Sequence, residues 1–326
     1  MFTPVHTSLG ALLLFQGSSG LLVHNGAVFG ISSLISSSVF NPGRENVPIV
    51  AGLVSSILPV YLLAPSLLPN YPAAPDSLAS AAATAGVGFL LGWGTKNGRG
   101  CTSGHMLCGL SRLSPRSLIA TTIFFTTALI TANIGSLIPS CGSTPCYTPV
   151  YPSSTETIFI AGSVLLSAIT NFIIVPQLPR SKQSRTVYSF LAGLQFGLGL
   201  LISGMADSAK VLQFFAFPTD LSRFDPSLAL VIVFGIGPSL LTYLSRQPGQ
   251  VPEKDKLATK PTLAERWRVP TATVADIDWR FVAGALAFGV AWGLRGVCPG
   301  PALLRAVCQP TWGLITMSGY LLGNLF

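Results

Sequence analysis

The sequence predicts an all-α polytopic membrane protein with about nine transmembrane helices, about four short re-entrant helices and an inverted repeat. Three observations carry that expectation. Only 9% of the 326 side chains are charged and 49% are hydrophobic, with a mean hydropathy of +0.60, whereas soluble domains carry roughly a quarter charged residues. Apolar runs near the roughly 17–25 residues needed to cross a hydrocarbon core fall at 8–24, 47–64, 79–95, 117–138, 156–176, 187–205, 227–245, 279–295 and 309–326. Two glycine-flanked cysteine motifs, GRGCTSGHMLCGL around Cys101 and LRGVCPGPALL around Cys298, interrupt such runs, each with an arginine just upstream.

The first run has no basic segment before it and no A-x-A cleavage pattern after it, so it reads as a retained span and not a signal peptide. It passes into GLLVHNGAVFGISSLI from Gly20, a glycine-punctuated stretch too short to span again. After 47–64 comes a connection at 65–78 without Lys or Arg. The run at 79–95 leads into the first cysteine motif and then the basic residues Arg112 and Arg116. The connection at 136–155 again lacks Lys and Arg and holds Cys141 and Cys146, for which a small-loop disulfide and two free thiols are both open. Arg180, Lys182 and Arg185 follow 156–176. The run at 187–205 ends in GLLISGMADSAKVLQFF from Gly199, an echo of the Gly20 stretch. Beyond 227–245 lies a polar, proline-containing linker at 246–275 with Arg246, Lys254, Lys256, Lys260, Arg266 and Arg268. The run at 279–295 enters the second motif, and 309–326 closes the chain.

The net charge of +8 therefore sits in alternate connections. The positive-inside rule places those loops in the cytoplasm, the N-terminus outside and the C-terminus inside, with the plasma membrane as the expected location. The run at 8–24 then enters from the opposite side to 187–205, which is the inverted-repeat plan of transporters whose discontinuous helices meet at the midplane. On this reading 1–150 is the first half, 151–185 a connecting span with its basic loop, and 186–326 the second half.

GxxxxG followed by small or apolar residues and Arg-Gly precedes each cysteine: GFLLGWGTKNGRGC from Gly88 and GALAFGVAWGLRGVC from Gly284. Glycines alone are explained by helix packing, but packing explains neither the paired Arg99 and Arg295 nor the paired Cys101 and Cys298. Ionisable residues inside spans mark function, and here Lys96, Arg99, Lys210, Arg295 and Arg305 are all cationic, which suits an anion near helix N-termini. The alternative for Lys96, Lys210 and Arg305 is snorkelling from a helix end. Asp207 reads as an N-cap and Cys308 as packing. Either motif cysteine is also explicable as core packing, or as a thiol made reactive by its arginine. Cys101, His105 and Cys108 at i, i+4 and i+7 would share one helix face, but three soft ligands without a fourth make a poor metal site. No metal, cofactor or nucleic-acid partner is expected, and GxxxxGK[ST], HExxH and GxSxG are all absent.

With these residues in view, the chain resembles the YeeE/YedE sulfur-transport family over essentially its whole length. GFLLGWGTKNGRGCTSGHMLCGLSRLSPRS is similar to that family's Gly-x-G-x-R-x-x-x-G-C-T-S-G-H signature. SGMADSAKVLQFF resembles its SGM-x-x-P-x-K-V-x-x-F segment, with Ser208 where proline is usual. The resemblance implies an hourglass of full spans and short dipping helices, with thiols at the centre handing thiosulfate or a related sulfur anion through. Carried onto this sequence it makes Cys101 and Cys298 the relay thiols. Around them stand Arg99, Gly100, Thr102, Ser103, Gly104 and His105 from the first motif, Gly204, Met205 and Lys210 from the Gly199 stretch, and Arg295 and Gly300 from the second motif. Where some members carry a further cysteine this chain has His24 and Asn25. The implied surroundings are membrane lipid and a cytoplasmic sulfur carrier or sulfurtransferase. A membrane-embedded sulfur-transfer or thiol-redox enzyme using a cysteine persulfide, and a structural membrane subunit, stand as alternatives.

Overall fold

A computed structural model describes residues 1–135, 137–249 and 260–326. The described chain is helical, with isolated bridges at Phe2–Pro149 and Ala27–Arg268 in place of a sheet. In order, the helices are α1 (Pro4–Asn25), α2 (Ile31–Phe40), α3 (Val47–Ser55), α4 (Ile57–Leu63), α5 (Leu78–Asn97), a π-helical segment (Ser103–Leu110) and α6 (Pro115–Ile134). After these come α7 (Ser154–Ile169), α8 (Lys182–Ile202), α9 (Ser208–Phe214), α10 (Ser227–Val231), α11 (Gly237–Arg246), α12 (Trp279–Arg295), α13 (Pro299–Cys308) and α14 (Pro310–Gly323).

Four times a long helix stops at a glycine-containing turn and a short one resumes: α1 to α2, α5 to the π segment, α8 to α9, and α12 to α13. These are the four short helices the glycine-punctuated stretches predict. The α12–α13 pair bends by 42°. Among the described residues, five segments are long and apolar enough to cross a membrane, Leu78–Asn97, Pro115–Ile134, Ser154–Gln177, Lys182–Ile202 and Ser227–Arg246, and the bent pair can count as a sixth. The protein is a multi-pass membrane protein.

The remaining predicted spans differ from expectation for identifiable reasons. The 8–24 run is one 22-residue helix, but it is an interior one that buries His6, Thr7, Gln16, Ser18, Ser19, His24 and Asn25. The 47–64 run divides at Ser56, because Pro59 has no N–H to bond Ser55 and its ring crowds that carbonyl. Ser56 N turns instead to Leu53 O, and its hydroxyl reaches the same oxygen at 2.7 Å. The 309–326 run yields only the 14 residues of α14, about 21 Å of helix, short of a 30 Å hydrocarbon core.

α1 packs antiparallel to α8, and α5 antiparallel to α12, at glycine-lined seams. A Cβ on Gly17 would lie 2.8 Å from Ala192 O, and one on Gly94 2.5 Å from Phe288 N. Each inner helix also carries a parallel outer neighbour: α3 lies on α8 and the α10–α11 span on α1, while α14 lies on α5 and α6 on α12. Polar side chains also tie α8 to the helical segment that continues α7. Tyr188 OH donates to Asn171 Oδ1 at 2.8 Å, and Asn171 Nδ2 donates to Gln195 Oε1 at 3.2 Å.

Candidate functional site

The four short helices begin close together, and their first residues wall a small central chamber of about 90 Å³. Ile31 comes from α2, Thr102 and Ser103 from the head of the π segment, Met205 and Val211 from the turn and first turns of α9, and Cys298, Gly300 and Pro301 from the head of α13. Leu14, Phe196, Leu200, Leu228 and Trp292 complete an apolar lining that contains no charged side chain. The volume is several times the roughly 10–15 Å³ that one water needs.

Two larger cavities flank the chamber at opposite ends of α5. One, about 380 Å³, is lined by Lys96, Arg99, Gly100, Gly104, His105, Arg112 and Arg116 together with Gly30, Ser32 and Ser33 of α2. The other, about 420 Å³, is lined by Ser80, Thr84, Gly88 and Leu91 of α5, by Asp76, by Ser208 and Leu212 of α9, and by Arg295, Val297 and Arg305. Residues 30–32 and 100–104 therefore separate the chamber from the Arg99 cavity. Residues 208–212 and 297–298 separate it from the Arg295 cavity.

The turn at the first motif is strained and propped. Arg99 is left-handed at φ +56° and Gly100 follows at +154°, a geometry that costs a non-glycine residue on the order of 1–3 kcal/mol. His105 holds it: Nε2 lies 2.9 Å from Gly98 O and Nδ1 3.1 Å from Ser117 Oγ. A carbonyl only accepts, so Nε2 carries the proton and Nδ1 accepts from the serine hydroxyl. Both nitrogens are engaged by Gly98 O and Ser117 Oγ, and neither bonds a thiol. Because 103–110 is π-helical, the α-helical face expected for Cys101, His105 and Cys108 does not form. Cys108 Sγ instead donates to Phe29 O at 3.4 Å, and Cys101 Sγ meets Ser103 Oγ at 3.3 Å.

The two cysteines are neighbours but not equivalents. Cys101 is fully buried and lines none of the three cavities. Cys298 is half-buried, opens into the chamber, and accepts a 3.3 Å hydrogen bond from Thr102 Oγ1. That bond ties the head of one motif to the head of the other across 196 positions of sequence.

Arg99 and Arg295 are both exposed, to opposite cavities. Arg305 does not snorkel. It is 7% exposed, bonds Gln309 Oε1 and Pro72 O at 3.0 Å each, and lies 4.2 Å from the Trp312 ring centre and 5.3 Å from that of Tyr71. These rings favour a cation over their faces. Lys96 does reach outward, to Leu325 O at 3.1 Å. Lys210, expected beside the substrate, lines none of these three cavities. It is 6% exposed and 3.1 Å from the fully buried carboxylate of Asp225, which also accepts from Ser227 N and Oγ. Asp225 lies fifteen positions downstream in an unremarkable loop, and only the fold brings it to Lys210. Gly204, at φ +75°, packs on the Lys210 stem rather than on a cavity.

Other expectations resolve plainly. Asp207 caps α9 through Ala209 N at 2.9 Å. Cys141 and Cys146 are disulfide-bonded. Cys308, read as packing, is exposed at the end of α13. Lys254 and Lys256 lie outside the described residues.

Residues 184–325 match a family described as Family of unknown function (DUF6691). A probable transporter of Xylella fastidiosa (strain Temecula1 / ATCC 700964) is 39% identical over 127 residues, which are 38% of this chain and 89% of the relative. A probable transporter of Xylella fastidiosa (strain 9a5c) is 36% identical over 126 residues, again 38% of this chain and 89% of the relative. The chain belongs to the family of these proteins. Since 89% of each relative matches 38% of this chain, both relatives are shorter than half its length.

Proposed function

We propose that this chain is a membrane transporter for a small sulfur-containing anion, with thiosulfate as the leading cargo. The observation that carries the reading is the sequence of three spaces: a cationic cavity, a charge-free chamber holding the Cys298 thiol, and a second cationic cavity. Positive side chains gather an anion at either end. Inside the chamber it meets the Thr102 and Ser103 hydroxyls, the Cys298 thiol, the Trp292 indole and the first turns of α2 and α13. Weak, polarisable donors suit a soft terminal sulfur and let it leave, which strong binding would prevent. Cys101, behind Ser103, is the second thiol of the relay.

Under this reading 1–150 and 186–326 are the two inverted halves and 151–185 joins them. The antiparallel pairing of α1 with α8 and of α5 with α12 supports that division. The Arg99 cavity then faces the cytoplasm, where a sulfur carrier or sulfurtransferase would take the cargo, and the Arg295 cavity faces outside, with the plasma membrane as the setting. A persulfide-forming enzyme fits less well, because the nitrogens of His105 bond Ser117 Oγ and Gly98 O and not a thiol, where an activated nucleophile needs a base within hydrogen-bond reach.

Uptake of radiolabelled thiosulfate into proteoliposomes tests the proposal. Saturable uptake that falls on replacing Cys298 or Cys101 by Ala, with partial recovery for Ser, is the expected result. Uptake unchanged in both Ala variants would remove the relay, and no uptake by folded wild-type protein would remove the transporter. Impermeant thiol labelling at position 69 but not at 258 from outside intact cells is expected for the stated orientation.

A further inference from the structure

The Arg99 cavity differs in chemistry from the chamber it adjoins. Its wall carries four cations, Lys96, Arg99, Arg112 and Arg116, and neither a carboxylate nor a thiol. None of the four is in a salt bridge among the described residues. Lys96 bonds Leu325 O, Arg112 Nε bonds Cys108 O, and Arg116 lies over the Phe281 ring at 5.4 Å. The carboxylate whose charge reaches Arg116 and Arg99, Asp276, is held by Thr273 N at 2.7 Å and Thr273 Oγ1 at 3.2 Å. The cations therefore face the cavity without a salt-bridged carboxylate among the described residues.

A second observation points the same way. Ser32 lines this cavity and is 4% exposed. It stands in the first turn of the ten-residue α2 beside Ser33, where backbone N–H groups have no intrahelical carbonyl to bond. Guanidinium, ammonium, hydroxyl and first-turn amide groups are all hard donors suited to oxygen.

We propose that the Arg99 cavity is a binding site for free tetrahedral oxoanions of the sulfate and phosphate type, held by charge and oxygen-directed hydrogen bonds without any demand for a terminal sulfur. Selectivity for sulfur then belongs to the chamber, and the Arg99 cavity accepts whatever doubly charged oxoanion reaches it. Its consequence for transport, which rests on the transporter reading, is that an oxoanion on the Arg99 side occupies the exit and slows the cargo. The binding itself does not rest on that reading.

Equilibrium binding of radiolabelled inorganic sulfate to the full chain in phosphatidylcholine nanodiscs tests the site. Saturable binding, displaced by phosphate and weakened by added sodium chloride, is expected. The Arg99→Gln/Arg112→Gln double variant should weaken it by about tenfold or more. Arg99→Lys/Arg112→Lys keeps both charges and should keep most of the binding, so a folding defect in the glutamine variant would not hide the result. Arg44→Gln/Lys182→Gln removes the same charge elsewhere and should bind as wild type. Equal binding by the Arg99→Gln/Arg112→Gln variant, or no saturable binding, overturns the proposal. Binding abolished when phosphatidylglycerol replaces phosphatidylcholine would assign the cavity to a lipid headgroup and overturn the free-oxoanion assignment. In proteoliposomes, sulfate on the Arg99 side should slow thiosulfate uptake by wild type and not by the double variant. If sulfate binds as expected but thiosulfate is never taken up, the site stands and the transporter reading falls.

Discussion

The Cys101 and Cys298 motifs read alike, Arg, Gly and Cys after a glycine-rich helix, yet they finish in different surroundings. After Cys101 come Thr102 and Ser103, and the Ser103 hydroxyl takes the thiol into a fully buried contact. After Cys298 come Pro299, Gly300 and Pro301, which offer no hydroxyl, so that thiol remains at the chamber wall and draws its hydrogen bond from Thr102. The props differ as well. The first turn is braced from within its own motif by His105. The second is braced from α9: a Cβ on Gly296, at φ +63°, would strike Ser208 O, and α9 is itself anchored by Lys210 on Asp225. A repeated arginine and cysteine thus set which side of the chamber each motif serves, while the two or three residues that follow set how far each thiol is available.

The largest effect should come from breaking the second prop. Lys210→Met removes the nearer of the two cations on the buried Asp225 carboxylate and leaves only the Met1 ammonium at 3.7 Å, a loss of up to roughly 3–5 kcal/mol, seen as a fall in thermal unfolding temperature. Protein that remains folded should still take up cargo, since Lys210 lines none of the three cavities. Full stability with abolished uptake would instead return Lys210 to the substrate path.

Cys298→Ala comes next. Losing a donor to a charged group is worth about 1.5–3 kcal/mol, or about 10- to 100-fold in uptake, with unfolding nearly unchanged. Cys101→Ala should combine a smaller uptake loss with a stability cost near 1 kcal/mol. Equal losses from both would erase the difference drawn between the motifs.

The same contrast can be read by alkylation. N-ethylmaleimide should modify Cys298 faster than Cys101, with Cys308 replaced beforehand because it is exposed. Ser103→Ala should narrow the gap by releasing Cys101. A Cys101 rate that matches Cys298 in the parent protein contradicts the buried contact.

The smallest effect concerns a clasp at the Arg99 end. Thr262, Leu263 and Arg268 donate backbone hydrogen bonds to Val23, His24 and Gly26, and Pro270 and Ala272 line the Arg99 cavity. Glu45 pairs with both Arg268 and Arg185. Burial alone raises the Glu45 pKa, but the hydrogen bonds and charges of Arg268 and Arg185 outweigh it and hold the carboxyl below its ordinary 4.5. A depressed carboxyl stabilises the fold above its unfolded value, and that contribution disappears as pH falls through the folded one. The clasp should therefore loosen below about pH 4.5 and not between pH 5 and 8. Glu45 is 53% exposed, so the contribution is under about 1 kcal/mol. Hydrogen exchange at residues 262–268, in wild type and Glu45→Gln, would show it, and identical pH profiles would remove the clasp.

The sequence by itself determined what depends on neighbours along the chain. Hydropathy and the scarcity of charge require a membrane protein, because such a surface has no use in water. Glycines at 26, 100, 204 and 296, now seen at positive φ, marked where long helices stop. The pairing of Arg with Cys pointed to the chamber before its walls could be known. Span counting was less secure, because apolar content does not separate a lipid-facing helix from an interior one. Polar α1 and short α14 lie against partners from distant sequence, and those partners decided their roles. Only the tertiary structure could join Lys210 to Asp225, set Arg305 between Trp312 and Tyr71, gather Lys96, Arg99, Arg112 and Arg116 around Ser32, or give Cys298 and not Cys101 the chamber wall. Each is a contact between elements whose spacing in sequence is arbitrary, and hydrogen bonds and charge act over a few ångströms of space, whatever the distance along the chain.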